Sequence, residues 1–208
     1  MILCDIGNST ISFFYNNDIQ KIDIQSDSFP LFDTKKTIYY ISVNEIGKQN
    51  LLKHYPLSKD LSSHIKLNTQ YIGLGVDRAV LCSFIQEGVI IDAGSAITVD
   101  IMKNSSHLGG YILPGIKAMC KIYPNISSKL EVDLEFKEYN SIPNNTKDGI
   151  NYAIFNAIIL PLLKTSGLSN NIYITGGDGK MILPHINNAI YDEALIFKAM
   201  KSLTKDIL

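Results

Sequence analysis

Two short segments place an aspartate two residues ahead of a glycine between apolar runs: ILCDIGNSTISFF at 2–14 and VIIDAGSAITVDI at 89–101. A carboxylate at the tip of a buried strand, and a glycine that lets backbone N–H groups approach a ligand, are parts of a phosphate site. Small donors complete the set: Asn8, Ser9 and Thr10 in the first segment, Ser95 in the second. Carboxylates repel phosphate, so Asp5 and Asp92 would act by holding cations that bridge to it, directly or through water. Alone, either segment could be an ordinary hairpin with an Asp-Gly turn. The matched pair lies 87 residues apart, too far for a solenoid repeat. It reads as a duplicated lobe, with the two carboxylates facing each other across a cleft.

A third grouping lies between the repeats. Of 19 basic residues only Arg78 is an arginine, and it directly follows Asp77. Arginine offers a planar fork that lysine cannot, suited to a carboxylate or phosphate. A carboxylate is ionised at neutral pH, so the neighbouring Asp77 could accept a hydrogen bond from a reacting hydroxyl. The same acid at a helix start could also serve only to favour the helix dipole.

These residues need positioning elements. Ile2–Ile6, Ile11–Tyr15 and Ile19–Ile24 read as strands, with Asn16-Asn17-Asp18 as a turn between the last two. Ile38–Val43 is a further strand, and residues 45–54 form a weak helix. Apolar Val80, Leu81, Phe84 and Ile85 make 77–87 an amphipathic helix that ends at Gly88. Strands follow at Val89–Asp92, Ile97–Met102 and His107–Leu113. Pro114 suits the first turn of a helix reaching Lys121. The sequence predicts a long helix over 148–163, disturbed near Pro161, then a buried strand at Ile172–Thr175. Ile196, Met200, Leu203 and Ile207 recur at helical spacing, which predicts a docked C-terminal helix. The meander pattern restarts at Glu87-Gly88, so the lobes are expected at 1–87 and 88–208.

Composition narrows the classes. The chain has 208 residues, 46% hydrophobic and 19% charged, with a net charge of −1. That is a globular balance without the basic cluster a nucleic-acid surface needs. No basic, then apolar leader follows Met1, and the run between Asp148 and Lys164 falls short of the ~20 apolar residues that span a bilayer. Neither nucleic acid nor membrane is expected as a partner. Cys4, Cys82 and Cys120 form no C-x-x-C pair and read as free thiols of a cytoplasmic protein. The four histidines are scattered, without zinc spacing.

The duplicated Asp-x-Gly pattern resembles the acetate and sugar kinase, heat-shock chaperone and actin superfamily. The resemblance implies an α/β, duplicated ribonuclease-H-like (actin-like ATPase) fold, its two lobes carrying mixed sheets flanked by helices. Taken in order, DIGNS, GVDR, DAGSAIT, GGYILPG, NT and TGG resemble a type III pantothenate kinase from Asp5 to Asp178. That family phosphorylates the primary hydroxyl of pantothenate with ATP, the entry to coenzyme A. By this resemblance Asp5, Ile6, Gly7, Asn8, Ser9, Thr10, Ile11 and Ser12 bind the ATP phosphates, and Ser95 also contacts ATP. Asp77 is the base. Tyr71, Gly75, Val76, Asp77, Arg78 and Thr146 contact substrate, with Arg78 on the pantothenate carboxylate and Thr146 reaching in across a homodimer interface. Asp92 holds a monovalent cation, potassium or ammonium, while Mg2+ accompanies ATP. TGG at 175–177 would lie near the adenosine.

The chain departs from the family pattern in places. Ser9 and Ser95 stand where threonine is usual. Ile11-Ser12-Phe13-Phe14 lacks the basic residue many relatives carry, leaving metal, backbone or a distant lysine such as Lys117 to meet phosphate charge. The substrate tyrosine often lies seven residues before the first glycine of G-x-D-R, where this chain has Asn68; Tyr71 is the nearest candidate. Another small-molecule kinase of the same superfamily, or a non-enzymatic regulator of this fold, are the alternatives.

Overall fold

The computed structural model describes residues 1–26, 28–33 and 36–206. They form two compact units that are not each continuous in sequence. Unit 1 comprises Met1–Gln86, Lys103–Leu108 and Ala194–Leu208; unit 2 comprises Glu87–Met102 and Gly109–Glu193.

Unit 1 opens with β1 (Ile2–Ile6), β2 (Thr10–Tyr15) and β3 (Asp18–Asp23), then β4 (Ile38–Ser42), α1 (Glu45–His54), β5 (Lys59–Asp60), β6 (Asn68–Thr69) and α2 (Val76–Phe84). The sheet order is β3-β2-β1-β4-β5, with β1 antiparallel to β2 and parallel to β4. Asn16 and Asn17 both take positive φ between β2 and β3, the backbone a two-residue hairpin turn requires. Asn44 caps α1 by accepting from the Gly47 N–H at 2.9 Å. The core gathers Ile2, Cys4, Ile6, Ile11, Phe13, Ile38 and Tyr40 with Leu51 of α1.

Unit 2 carries β7 (Gly88–Ala93), β8 (Ala96–Lys103) and β9 (Ser106–Pro114), whose first residues belong to unit 1, then α3 (Ile116–Cys120), α4 (Tyr123–Ile126), α5 (Thr146–Ser166), β10 (Ile172–Thr175), α6 (Gly179–Ile182) and β11 (Ala189–Tyr191). Its strands run β11-β10-β7-β8-β9; β7 is antiparallel to β8 and parallel to β10. At its unit 1 end β9 pairs with β6. Val89, Ile91, Val99, Ile116, Ile154, Ile158 and Ile174 are among its core. The chain closes with α7 (Leu195–Leu203) in unit 1, where Phe197 stacks on Phe14 at 5.2 Å between ring centroids. Ile207, placed in this helix by sequence spacing, lies outside the described residues.

The two strand orders match position for position: β3-β2-β1-β4-β5 against β9-β8-β7-β10-β11. The details repeat as well. Asp5 pairs with Ser12 and Asp92 with Thr98. At the following turns the Gly7 N–H donates to the Thr10 carbonyl and the Gly94 N–H to the Ala96 carbonyl, both at 2.9 Å. Asn104 and Ser105 take positive φ between β8 and β9, as Asn16 and Asn17 do between β2 and β3. This is the α/β architecture of two mixed sheets flanked by helices that the repeat implied.

Two local expectations need correction. Pro114 ends β9 rather than opening a helix; Gly115 is the N-cap and α3 begins at Ile116. Pro161 does not interrupt α5, whose 21 residues run on to Ser166. Buried Ile150, Ile154, Ile158, Ile159, Leu162 and Thr165 hold both sides of the proline to the core, outweighing its lost hydrogen bond. The Pro161 carbonyl also accepts from the hydroxyls of Tyr111 at 3.0 Å and Thr165 at 2.9 Å. Asn145 caps α5, accepting from the Asp148 N–H at 2.9 Å.

Candidate active site

In unit 1 the β1–β2 hairpin divides its residues sharply. Ile6 and Ile11 are fully buried, so only their backbone could meet a ligand, and Ser12 is nearly buried. Asn8, Ser9 and Thr10 are exposed at the tip, and Asp5 and Gly7 are partly so. Ile24 N–H donates to the Ser9 carbonyl at 3.0 Å, fixing the tip against the end of β3. Adjacent Cys4 is not available for chemistry: burial, and then the charge of Asp5, push its thiol well above the usual range.

Also in unit 1, α2 starts from Gly75 as its N-cap, with Val76 and Asp77 next. Asp77 Oδ1 accepts the Arg78 N–H at 2.8 Å, one of the donors a helix start leaves unpaired. A Cβ on Gly75 would sit 2.5 Å from Asp77 Oδ1, so glycine makes room for the carboxylate. Arg78 is only 4% exposed. Its guanidinium lies 4.8 Å from the Tyr71 ring centroid and donates through Nη1 to the Tyr71 hydroxyl at 3.3 Å. Tyr71 therefore joins the Asp77-Arg78 group. Asn68, at the spacing usual for the substrate tyrosine, instead donates from Nδ2 to Ser106 Oγ at 2.9 Å in β6.

In unit 2 three glycine-bearing turns close on one another. Asp92 pairs in register with Thr175, and Gly176 follows with φ +85°. The Ala93 carbonyl accepts the Asp178 N–H at 2.9 Å, and the Tyr191 hydroxyl donates to the Gly176 carbonyl at 3.1 Å. A Cβ on Gly176 would collide with the Ala93 carbonyl oxygen and lie 2.5 Å from Asp92 Oδ1. A Cβ on Gly115 would meet the Gly94 carbonyl and stand 2.6 Å from the Ser95 carbonyl. DAGS, LPG and TGG are thus one backbone cluster. The Asp92 carboxylate beside backbone carbonyls is an all-oxygen set, the donor chemistry of a hard cation. Ser95 is exposed beside it, and so is Lys117 in α3.

Thr146 is the exposed first residue of α5. Its surroundings depend on Asn151, which is fully buried: Oδ1 accepts the Glu135 N–H at 2.8 Å, and Nδ2 donates to the carbonyls of Asp133 at 3.1 Å and Lys147 at 3.2 Å. Polar spacing around Asn151 gives no sign of this, because two of its three partners, Asp133 and Glu135, lie in an irregular segment. Glu135 also pairs with Lys137 at 2.7 Å and Lys147 at 2.5 Å. Hydrogen bonds from Lys137 and then Lys147 bring its carboxyl down to about 2. The folded value lies below the ordinary 4.5, so the stabilisation is present above pH 4.5 and fades as pH falls towards 2. Glu135→Gln is expected to lower Tm by a few degrees at most at pH 6 in low salt, with the gap to the parent closing near pH 2. A gap independent of pH in a thermal melt series contradicts this.

The fold, two mixed sheets flanked by helices with a matched strand order, is that of the actin-like ATPase and sugar kinase class. A likeness at the level of fold alone runs to component A of the (R)-2-hydroxyglutaryl-CoA dehydratase of Acidaminococcus fermentans, with TM-score 0.53, 9% identity and coverage of 100% and 99% of the two chains. A model of the type III pantothenate kinase family matches residues 48–162. The type III pantothenate kinase of Helicobacter hepaticus is 45% identical over 213 residues, all of both chains, and that of Campylobacter jejuni 42% over 207, covering 99% of this chain and 97% of the relative. A Campylobacter jejuni crystal structure described as a conserved Baf family transcriptional activator superposes with TM-score 0.83 at 39% identity, covering 100% and 98%. The chain belongs to the type III pantothenate kinase family. It is a kinase, using ATP with a divalent metal. Among the described residues no helix is long and apolar enough to cross a membrane.

Proposed function

We propose that this chain transfers the γ-phosphoryl group of ATP to the primary hydroxyl of pantothenate, giving 4'-phosphopantothenate in the first step of coenzyme A biosynthesis. The observation that carries the reading is the Asp77 carboxylate at the start of α2 beside a buried arginine held on Tyr71. Arg78 grips the pantothenate carboxylate as a bidentate fork. Tyr71, Gly75 and Val76 shape the same contact surface, orienting the far end of the substrate. Asp77 accepts the hydrogen bond of the hydroxyl. The hydroxyl oxygen attacks the γ-phosphorus in line, the bond to the β–γ bridging oxygen breaks, ADP leaves, and the proton passes to Asp77. In a loose transition state this is chiefly catalysis by positioning and charge.

Residues Asp5 to Ser12 hold the ATP phosphates through the hairpin backbone and the exposed Asn8, Ser9 and Thr10 side chains, and Ser95 contacts the nucleotide. The Asp5 carboxylate would hold Mg2+, directly or through water, and the ion would supply positive charge against the ATP phosphates. Asp92 with its neighbouring carbonyls would hold the monovalent cation, potassium or ammonium, which would supply fixed positive charge for phosphoryl transfer. Thr146 contacts substrate from the other subunit of a homodimer. The protein works in the cytoplasm in this reading.

The test is a coupled ADP-release assay with ATP, Mg2+ and a panel of acceptors, pantothenate, sugars and acetate among them. Turnover is expected with pantothenate; a sugar turning over while pantothenate fails refutes the assignment. Exchanging potassium for sodium is expected to lower the rate about tenfold, the equivalent of ~1.4 kcal/mol. In Asp92→Asn the two salts should give nearly the same low rate. An undiminished potassium preference in that variant removes Asp92 from the cation site.

A further inference from the structure

We infer that Thr69 and His107 are positioning residues for substrate binding, setting Tyr71 so that Arg78 presents its fork. The inference rests on the reading of Arg78 as the group that grips the pantothenate carboxylate.

All four residues belong to unit 1. Thr69 and His107 stand opposite each other in the parallel β6–β9 pairing. Thr69 Oγ1 and His107 Nδ1 are 2.8 Å apart, and Thr69 Oγ1 also accepts the Tyr71 N–H at 3.0 Å. A hydroxyl that accepts from the backbone can pass its own proton on to an imidazole nitrogen, so one Thr69 side chain serves both contacts. The His107 ring is 5% exposed and lies 5.8 Å from the Tyr71 ring, tilted by 45°. Tyr71 also carries the Arg78 guanidinium.

The physical consequence is an ordered series. Tyr71 lies two residues beyond the end of β6 and precedes exposed Ile72 and Gly73, so little in its own segment restrains it. The Thr69 hydroxyl fixes its backbone, and the His107 ring limits where its ring can turn. Arg78, in turn, loses few rotamers on binding because the tyrosine already holds it. A fork held in place binds a planar carboxylate with less ordering cost than a loose one.

The experiment measures kcat, KM for pantothenate, KM for ATP and Tm in the full-length protein. It also measures preference for pantothenate over its alcohol analogue, which lacks the carboxylate. Thr69→Val is expected to raise KM for pantothenate about five- to tenfold and to shrink the preference by the same factor. KM for ATP should stay unchanged. Thr69→Ser keeps the hydroxyl and should restore both values. His107→Asn places a polar atom near the position of Nδ1 and should retain more affinity than His107→Leu; if the buried His107 variants fail to fold, the partly exposed Thr69 pair decides alone. Arg78→Gln is the reference, with an expected loss of preference of about a hundredfold. If Arg78→Gln shows that loss while Thr69→Val keeps a parental KM, the positioning role is wrong and the clamp stands. A fall in Tm of Thr69→Val without any change in KM also overturns it, because that is purely structural support. If Arg78→Gln keeps the parental preference, the reading of Arg78 itself fails.

Discussion

Replacing Asp77 with asparagine is expected to lower kcat by about a hundred- to ten-thousand-fold, the usual reach of a lost general base. KM for ATP and for pantothenate stay within about threefold, and the protein remains folded. The separation follows from geometry. Asp77 Oδ1 accepts the Arg78 N–H at the start of α2, and an asparagine oxygen can accept the same bond. The room left by Gly75 fits either side chain. What asparagine cannot do is take the hydroxyl proton. The loss of a negative charge at a helix N-terminus costs about 0.3–1 kcal/mol, too little to unfold the chain. Steady-state kinetics alongside a thermal melt decides: parental kcat in the variant removes Asp77 from the base role.

The second large effect is expected from Gly176→Ala. The φ of +85° is a conformation that a residue with a Cβ adopts at a cost of about 1–2 kcal/mol. The added methyl also runs into the Ala93 carbonyl and crowds Asp92 Oδ1. Neither neighbour can easily retreat: Ala93 is a buried strand residue whose carbonyl holds the Asp178 N–H, and the Gly176 carbonyl is held by Tyr191. Overpacking against fixed backbone adds about 1–3 kcal/mol. The total, about 2–5 kcal/mol, is a large share of the ordinary stability of a domain. Gly177→Ala is the control, because a Cβ there meets nothing within 4 Å. In urea titrations Gly176→Ala should unfold at clearly lower concentration than Gly177→Ala. Equal midpoints contradict the close packing of the TGG turn on the end of β7.

The duplicated hairpins were legible because their signals are local. An apolar run, Asp-x-Gly and a second run define β1–β2 and β7–β8, and the Asn16-Asn17 turn follows from positive φ at two successive residues. The equivalent turn at Asn104-Ser105 offered a weaker signal, since serine marks many loops. The amphipathic pattern of α2 gave its place, and with it the neighbourhood of Asp77 and Arg78.

What escaped the sequence depends on distant partners. Nothing local assigns α7 to unit 1, where Phe197 meets Phe14 across most of the chain. Pro161 looked like a helix breaker because the buried faces on both sides of it, and the Tyr111 hydroxyl that uses its carbonyl, are tertiary facts. Asn145 and Thr146 are both residue types that cap helices, and only the geometry shows that Asn145 caps α5. Thr69 and His107 carry no motif; only the β6–β9 pairing brings them opposite each other. Tyr71 came from the family resemblance alone, as the nearest tyrosine to the usual position; its contacts with Arg78 are tertiary.

A crystal structure with a non-hydrolysable ATP analogue and pantothenate is the most direct test of the Asp77-Arg78 pair as the acceptor site. The pantothenate primary hydroxyl is predicted within hydrogen-bond reach of an Asp77 carboxylate oxygen, about 2.6–3.2 Å, with its carboxylate forked on Arg78. Pantothenate bound elsewhere, leaving Asp77 and Arg78 without contact to it, would contradict the assignment.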